Sequence, residues 1–177
     1  MDAETALIVA CPAADAVMGD QRSRLDRAAQ AGVPAHLTVS YPFKADVGVE
    51  DHRKLTELFG QFHGFAVSGE RTGWFGRAVV FVEPDDPGPA IALTRAVQEA
   101  FPAYPIYRGA YEEVVPHLTI GHEHPFEVLR TAERVVLARL PFRQFVDHVE
   151  LWSGPPLASA PEATWRHVRD YPLGPPS

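Results

Sequence analysis

Hydrophobic and polar positions alternate along the chain in two similar rounds. Residues 6–11 form an apolar run too short for a helix and closed by Pro12, which predicts a buried strand. Residues 15–31 are polar, contain alanine and end at Gly32 and Pro34, which predicts a helix. A second apolar segment, residues 36–43, reads as a strand. Leu55, Leu58, Phe59 and Phe62 then fall at i, i+3, i+4 and i+7, the spacing of one helical face. A third strand begins at Gly64 and takes in Phe65 and Val67.

The order then starts again. Residues 78–82 read as a strand, and Pro89 opens a helix carrying Leu93, Val97, Ala100 and Phe101 on one face. After a loop rich in Tyr and Pro, residues 102–111, come an apolar segment over 114–121, a helix over 125–139 and a strand over 145–152. Each half reads strand, helix, strand, helix, strand. That grammar favours an α+β or α/β fold in a single domain spanning 1–177, with halves of about 1–76 and 77–172 forming two similar lobes across a cleft. The proline-rich end, 173–177, reads as a frayed tail.

Composition narrows the class. A chain of 177 residues with 46% hydrophobic and 22% charged residues has the makeup of a folded globular domain. Cys11 is the only cysteine; it rules out an intramolecular disulfide and reads as a buried, inert thiol. Asp2 and Glu4 stand where a signal peptide needs positive charge, and no segment has the length of a membrane span, so a cytoplasmic protein without a membrane partner is expected. A net charge of −7 argues against a long electrostatic track along nucleic acid. It leaves room for a small phosphate ester or an RNA terminus, because one pocket can hold a positive field on an acidic surface. Oligomeric state is not legible.

The candidate chemistry lies in a repeated tetrapeptide. His36-Leu37-Thr38-Val39 and His117-Leu118-Thr119-Ile120 occupy the third element of each half. On a strand, successive side chains point to opposite faces, so each His shares a face with its Thr while the apolar pair packs inward. Two such strands facing one another frame an anion with two imidazoles and two hydroxyls. One neutral imidazole removes a proton from an attacking oxygen, and one imidazolium protonates the leaving oxygen. Histidine reaches both forms near neutral pH, while the hydroxyls of Thr38 and Thr119 orient the phosphate. A single His-x-Thr is a common strand fragment; two copies at equivalent places point to function.

The segments Ala-His-Leu-Thr-Val-Ser-Tyr-Pro-Phe (35–43) and Pro-His-Leu-Thr-Ile-Gly-His (116–122) closely resemble the paired H-x-T motifs of the 2H phosphoesterase superfamily, which takes in 2′–5′ RNA ligases and 2′,3′-cyclic phosphodiesterases. The resemblance implies an α+β fold of two pseudo-symmetric β/α lobes with antiparallel-rich sheets facing a central cleft. It also implies His36 and His117 as catalytic residues, Thr38 and Thr119 as phosphate ligands, and metal-independent chemistry without a nucleotide cofactor. For hydrolysis it favours His117 as base and His36 as acid, roles that swap with the orientation of the ester. His122 departs from the pattern, standing where many ligase-type members carry Arg. A regular strand turns His122 away from His117; a bulge at Gly121 reverses that.

Other constellations are weaker. His117, His122, Glu123, His124 and His148 invite a metal reading, but no H-E-x-x-H helix is present and a solvated loop explains the run before Pro125, so no metal is expected. His52, His63 and His167 read as surface or core-edge residues. Tyr41, Trp74, Phe75, Tyr104, Tyr107 and Tyr111 offer faces for stacking a base, with core packing as the alternative. Arg71, Arg77 and Arg108 are candidate phosphate ligands. Of these, Tyr41, Trp74, Tyr107, Arg108 and His122 are the candidate substrate-binding residues. The expected activity is opening of 2′,3′-cyclic phosphates or handling of 2′–5′ linkages in a small RNA terminus or cyclic nucleotide. The alternatives are a cyclic phosphodiesterase of a nucleotide-derived metabolite and a catalytically silent RNA- or phosphate-binding module.

Overall fold

The computed structural model describes residues 3–158 and 162–175. Strand β1 (Glu4–Ala10) is flanked by β2 (His36–Ser40) and β8 (His148–Gly154), and β9 (Arg166–Pro172) extends the sheet beyond β8, all antiparallel. Its central position explains its unbroken apolar sequence, because both of its faces are covered. A three-stranded antiparallel sheet joins β4 (Arg71–Phe75), β5 (Val79–Glu83) and β6 (Leu118–His122), while β3 (Phe65–Gly69) pairs with β7 (Phe142–Val146). Strand pairing therefore crosses the midpoint of the sequence: β3 pairs with a strand of the second half, and β8 completes the sheet begun by β1 and β2.

Among the described residues five α-helices cover these sheets: α1 (Pro12–Leu25), the short α2 (Arg27–Gln30), α3 (Val49–Phe59), α4 (Gly88–Ala100) and α5 (Phe126–Leu137). Proline opens α1 and α4, where its missing N–H is no loss. In α3 the Asp51 carboxylate accepts the Gly48 N–H at 2.9 Å, capping the first turn, and Leu55 and Phe59 are buried one turn apart. The core gathers Leu7 and Val9 of β1, Leu37 and Val39 of β2, and Val80, Val82, Leu118 and Ile120 of the three-stranded sheet. The other face of β1, Ala6 and Ile8, packs in a smaller cluster with Ala31, Val33 and Trp165. Among the described residues no helix is long and apolar enough to cross a membrane.

The elements differ from the sequence expectation in instructive places. The helix expected over 15–31 starts earlier, at Pro12, and breaks at Asp26, whose extended backbone and side chain cap α2 by accepting the Ala28 N–H at 3.1 Å. Residues 71–75, for which the hydrophobic pattern predicts no strand, form β4. The strand expected over 145–152 is two strands separated at Asp147, and β9 has no apolar signature because most of its side chains are exposed. The expected tail is tied down over 173–175: Leu173 is buried, its N–H bonds the Asp147 carbonyl, and Gly174 bridges His63. Pro176 and Ser177 lie outside the described residues. The Cys11 thiol is buried, and burial together with Asp15 and Glu150 pushes it up to about 12, keeping it an inert thiol.

Gly121 is where β6 meets α1 and α5. A Cβ there would lie 2.7 Å from the Leu25 Cβ and 3.0 Å from a Leu129 methyl. Gly121→Ala is expected to destabilise the fold by about 1–3 kcal/mol through overpacking, read as a lower urea midpoint with an unchanged m-value.

Candidate active site

Both H-x-T motifs carry the same irregularity. In β2 the register jumps from Ile8 opposite Thr38 to Leu7 opposite Ser40, leaving Val39 extra. In β6 it jumps from Phe81 opposite Thr119 to Val80 opposite Gly121, leaving Ile120 extra. A bulge resets the alternation of faces. It therefore brings Tyr41 and His122, each five residues after its motif His, back to the face that carries His and Thr. His36, Thr38, Tyr41, His117, Thr119 and His122 all line one cavity of about 350 Å³.

The two imidazoles are held alike. His36 Nδ1 lies 2.8 Å from the Pro34 carbonyl, and His117 Nδ1 lies 2.7 Å from the Val115 carbonyl, each two residues back. A carbonyl only accepts, so each Nδ1 carries the hydrogen and each Nε2 is the nitrogen free to exchange a proton. Burial pushes the His36 imidazole below its ordinary value and the Arg22 charge adds to this, against the Pro34 bond and Asp26. Burial likewise lowers His117, against the Val115 bond and Asp26.

Beneath the imidazoles runs a buried charge network. Arg22, 1% exposed, donates from Nη1 to Asp15 at 2.8 Å, from Nε and Nη2 to Asp26 at 3.1 and 2.8 Å, and from Nη2 to the Val33 carbonyl at 3.3 Å. Asp15 in turn accepts the N–H of Ala35, the residue before His36, at 2.9 Å. The other Asp26 oxygen lies 3.5 Å from His122 Nε2. Burial alone would raise the Asp26 carboxyl; the bond to His122 and the charge of Arg22 outweigh it and hold it below its usual value. Asp26 thus stays an anion between both motifs. Sequence reasoning missed this network, although an Asp four residues after an Arg is a signal for such a pair.

The walls are apolar and aromatic. On the His36 side stand Ala6, Ile8, Trp152, Leu157 and Trp165. On the His117 side a second recess of about 580 Å³ is lined by Phe75, Val79, Tyr107, Tyr111, Val114 and Val115. Phe75 meets His117 edge to face, with ring centres 4.9 Å apart. Tyr107 borders both recesses; it and Arg108 hold left-handed backbone (φ 49° and 56°), and the Tyr107 N–H donates to the Tyr41 carbonyl at 2.7 Å.

Of the five candidate substrate-binding residues, Tyr41, Tyr107 and His122 line the cavity. Trp74 and Arg108, expected there, do not. Trp74 donates to Glu133 at 2.8 Å and packs on Phe126 of α5, while Arg108 pairs with Glu4 at 2.7 Å. Arg77 sits over the Phe126 ring and Arg71 lies by Glu83, both outside the cavity, and Tyr104 packs against Phe43. The grouping of His148 with His117, His122, Glu123 and His124 does not form either: among the described residues His148 clusters with Glu150 and Asp170.

Comparison with known proteins places the chain by fold and by family. No curated protein sequence matches the chain. Among solved structures, TT0787 of Thermus thermophilus superposes with a TM-score of 0.64 at 17% identity, covering 96% of this chain and 97% of that one. E. coli LigT complexed with NADP+ gives 0.61 at 16% identity, covering 97% of both, and LigT complexed with 3′-AMP gives 0.60 at 15%, covering 98% and 99%. These likenesses establish the fold. The sequence profile of the 2′–5′ RNA ligase superfamily matches residues 11–154, a span that holds both H-x-T motifs, and the chain belongs to that superfamily of 2H phosphoesterases.

Proposed function

We propose that the protein opens 2′,3′-cyclic phosphates or handles 2′–5′ linkages in small RNA-type substrates, with His36 and His117 as the acid–base pair. The observation that carries this reading is the matched pinning of the two Nδ1–H groups, which leaves two Nε2 atoms for one cavity. In hydrolysis, water attacks phosphorus while one neutral imidazole accepts its proton. The bond from phosphorus to one ribose oxygen breaks, and the other imidazole, as imidazolium, protonates that oxygen to give a phosphomonoester. Thr38 and Thr119 donate to the non-bridging oxygens, whose charge grows as phosphorus gains its fifth ligand. All 177 residues act as one unit in this reading.

The charge balance of the cavity favours a diester. Among the described residues the one Lys or Arg in its lining, Arg27, is paired with Glu123 at 2.6 Å, and Asp26 and Glu123 add negative charge. A phosphodiester, with a single negative charge, fits this better than a polyphosphate does. The two aromatic-walled recesses, which meet at Tyr107, His117, Thr119 and His122, suit a phosphate with a nucleoside on each flank, which favours a 2′–5′ linkage or an oligonucleotide end over an isolated mononucleotide. E. coli LigT, of the same fold, was solved with 3′-AMP and with NADP+, both nucleotides.

A competition among a 2′,3′-cyclic mononucleotide, an oligonucleotide ending in a 2′,3′-cyclic phosphate and a 2′–5′ dinucleotide tests the reading. Product is expected from the second or third at higher kcat/KM than from the first. A silent binding module would give affinity for all three and product from none. Replacing either His36 or His117 by Ala is expected to lower kcat by about 10²–10⁴-fold, with the double variant losing far less than the product of the two. Thr38→Ala and Thr119→Ala should lose less, because proton transfer remains.

The pH profile carries a sharper expectation. Both imidazoles are held below 6.5 in the free protein, so the singly protonated pair is most populated on the acid side of that value. kcat/KM, which reports the free enzyme, should therefore peak below pH 6.5, and kcat should peak at higher pH because the bound anion favours imidazolium. Asp26→Asn removes an anion that raises both histidines, so it should move the kcat/KM peak further to acid. An unmoved peak would leave Asp26 as a packing residue only. A deoxydinucleotide keeps one charge on its phosphate across this range; calorimetry should find its binding weakening as pH rises, with proton uptake that differs between buffers of different ionisation enthalpy.

A further inference from the structure

On the same face of the four-stranded sheet as the catalytic cavity, beyond Trp152, β8 and β9 assemble a second group of functional side chains. His148, Glu150 and Trp152 alternate along β8, so all three point to one face. Asp170 lies directly across from Glu150 on β9, and His167 across from Trp152. A register shift leaves Val168 extra and turns His167 to the face of Asp170 despite their odd spacing. We propose that His148, Glu150 and Asp170 form a binding site for a divalent transition-metal ion of the zinc class, with His167 at its rim.

The geometry supports this in three ways. Two ligands at i and i+2 of one strand, with a third opposite on the neighbouring strand, set their donor atoms at the corners of a triangle. His148 Nε2 lies 3.2 Å from Glu150 Oε1 and 3.9 Å from Asp170 Oδ1, and the three donor atoms lie within 4.8 Å of one another. Tetrahedral coordination at the usual zinc distances separates ligand atoms by about 3.3 Å, so with donor atoms within 4.8 Å of one another the triangle has to contract by at most about 1.5 Å along its longest edge.

The supporting bonds are those of a metal site. His148 Nδ1 lies 2.5 Å from Asp147 Oδ1, the carboxylate–histidine pairing that aims the opposite nitrogen at a metal. The Trp152 indole N–H donates to Glu150 Oε2 at 2.6 Å, leaving Oε1 for the ion. His167 Nε2 lies 2.6 Å from Asp170 Oδ1, the same oxygen that faces His148, and orients that carboxylate. An imidazole with two carboxylates selects the zinc class over calcium or magnesium, which take oxygen-only shells. The site stands apart from His36 and His117 and takes no part in the proton transfers proposed for them. It touches the substrate cavity through Trp152, which lines that cavity and is held by Glu150.

The test is equilibrium dialysis of the metal-free protein against zinc chloride, followed by cobalt substitution. One equivalent of zinc is expected, unaffected by millimolar magnesium or calcium, with visible absorption of a low-symmetry cobalt site. Zinc should also raise the melting temperature. His148→Ala and Asp170→Asn, each checked for an unchanged melt without metal, should weaken zinc binding by about 100-fold or more. The His36→Ala/His117→Ala double variant should still bind one equivalent. The proposal is overturned if no equivalent binds, if His148→Ala and Asp170→Asn bind as the parent does, or if removing the catalytic histidines abolishes the binding.

Discussion

Arg22 is a full positive charge inside the protein, and everything near the candidate active site is arranged around keeping it paired. A buried guanidinium is tolerated only when carboxylates and carbonyls take its N–H groups. Asp15, Asp26 and the Val33 carbonyl do so from three different stretches of chain. Meeting that demand breaks the first helix after Leu25, turns Asp26 inward and, through the Ala35 N–H on Asp15, fixes the chain just before His36. The same Asp26 reaches His122 at the end of the second motif. One buried cation thus registers the two motif strands against each other.

That arrangement bears on how the proposed anion would be received. Among the described residues the cavity offers no unpaired arginine: Arg27 in its lining is paired with Glu123, and the buried Arg22 behind it is shared between Asp15 and Asp26. In the proposed reading a phosphate entering here meets two hydroxyls and two imidazoles whose burial disfavours the charged form. The bound anion then favours imidazolium, and the same proton is in place for the leaving oxygen.

Much of this was legible in the sequence, and what was not has identifiable causes. The apolar runs gave β1, β2, β5 and β6, and helical spacing gave α3, α4 and α5, because those elements bury one face or both. β9 leaves no trace in the pattern because an edge strand with exposed side chains has no apolar period, and β4 leaves none because Arg71, Thr72 and Gly73 form no apolar run. His36, Thr38, His117 and Thr119 converge on one cavity as their alternation implied, and a bulge at Ile120, one residue before the Gly121 where it was expected, decides the ambiguity over His122. Trp74 and Arg108 were misplaced because an aromatic or a cation looks the same in sequence whether it meets a ligand or a neighbouring side chain such as Glu133 or Glu4. Asp26 was hidden by a helix that the pattern carried straight through it.

The crossing of strands between the sequence halves also governs how a growing chain acquires its site. β1 and β2 are made early, yet the strand that covers the open edge of β1 is β8, which leaves the ribosome more than a hundred residues later. Until then the first sheet exposes a row of unpaired backbone groups beside an apolar strand, a template for unwanted pairing with other chains. The same long-range pairing raises contact order and slows folding relative to a chain whose halves close independently. The two motifs record a duplicated pattern, but neither half forms its lobe alone, so separated halves would have to find each other as partners before either histidine is set.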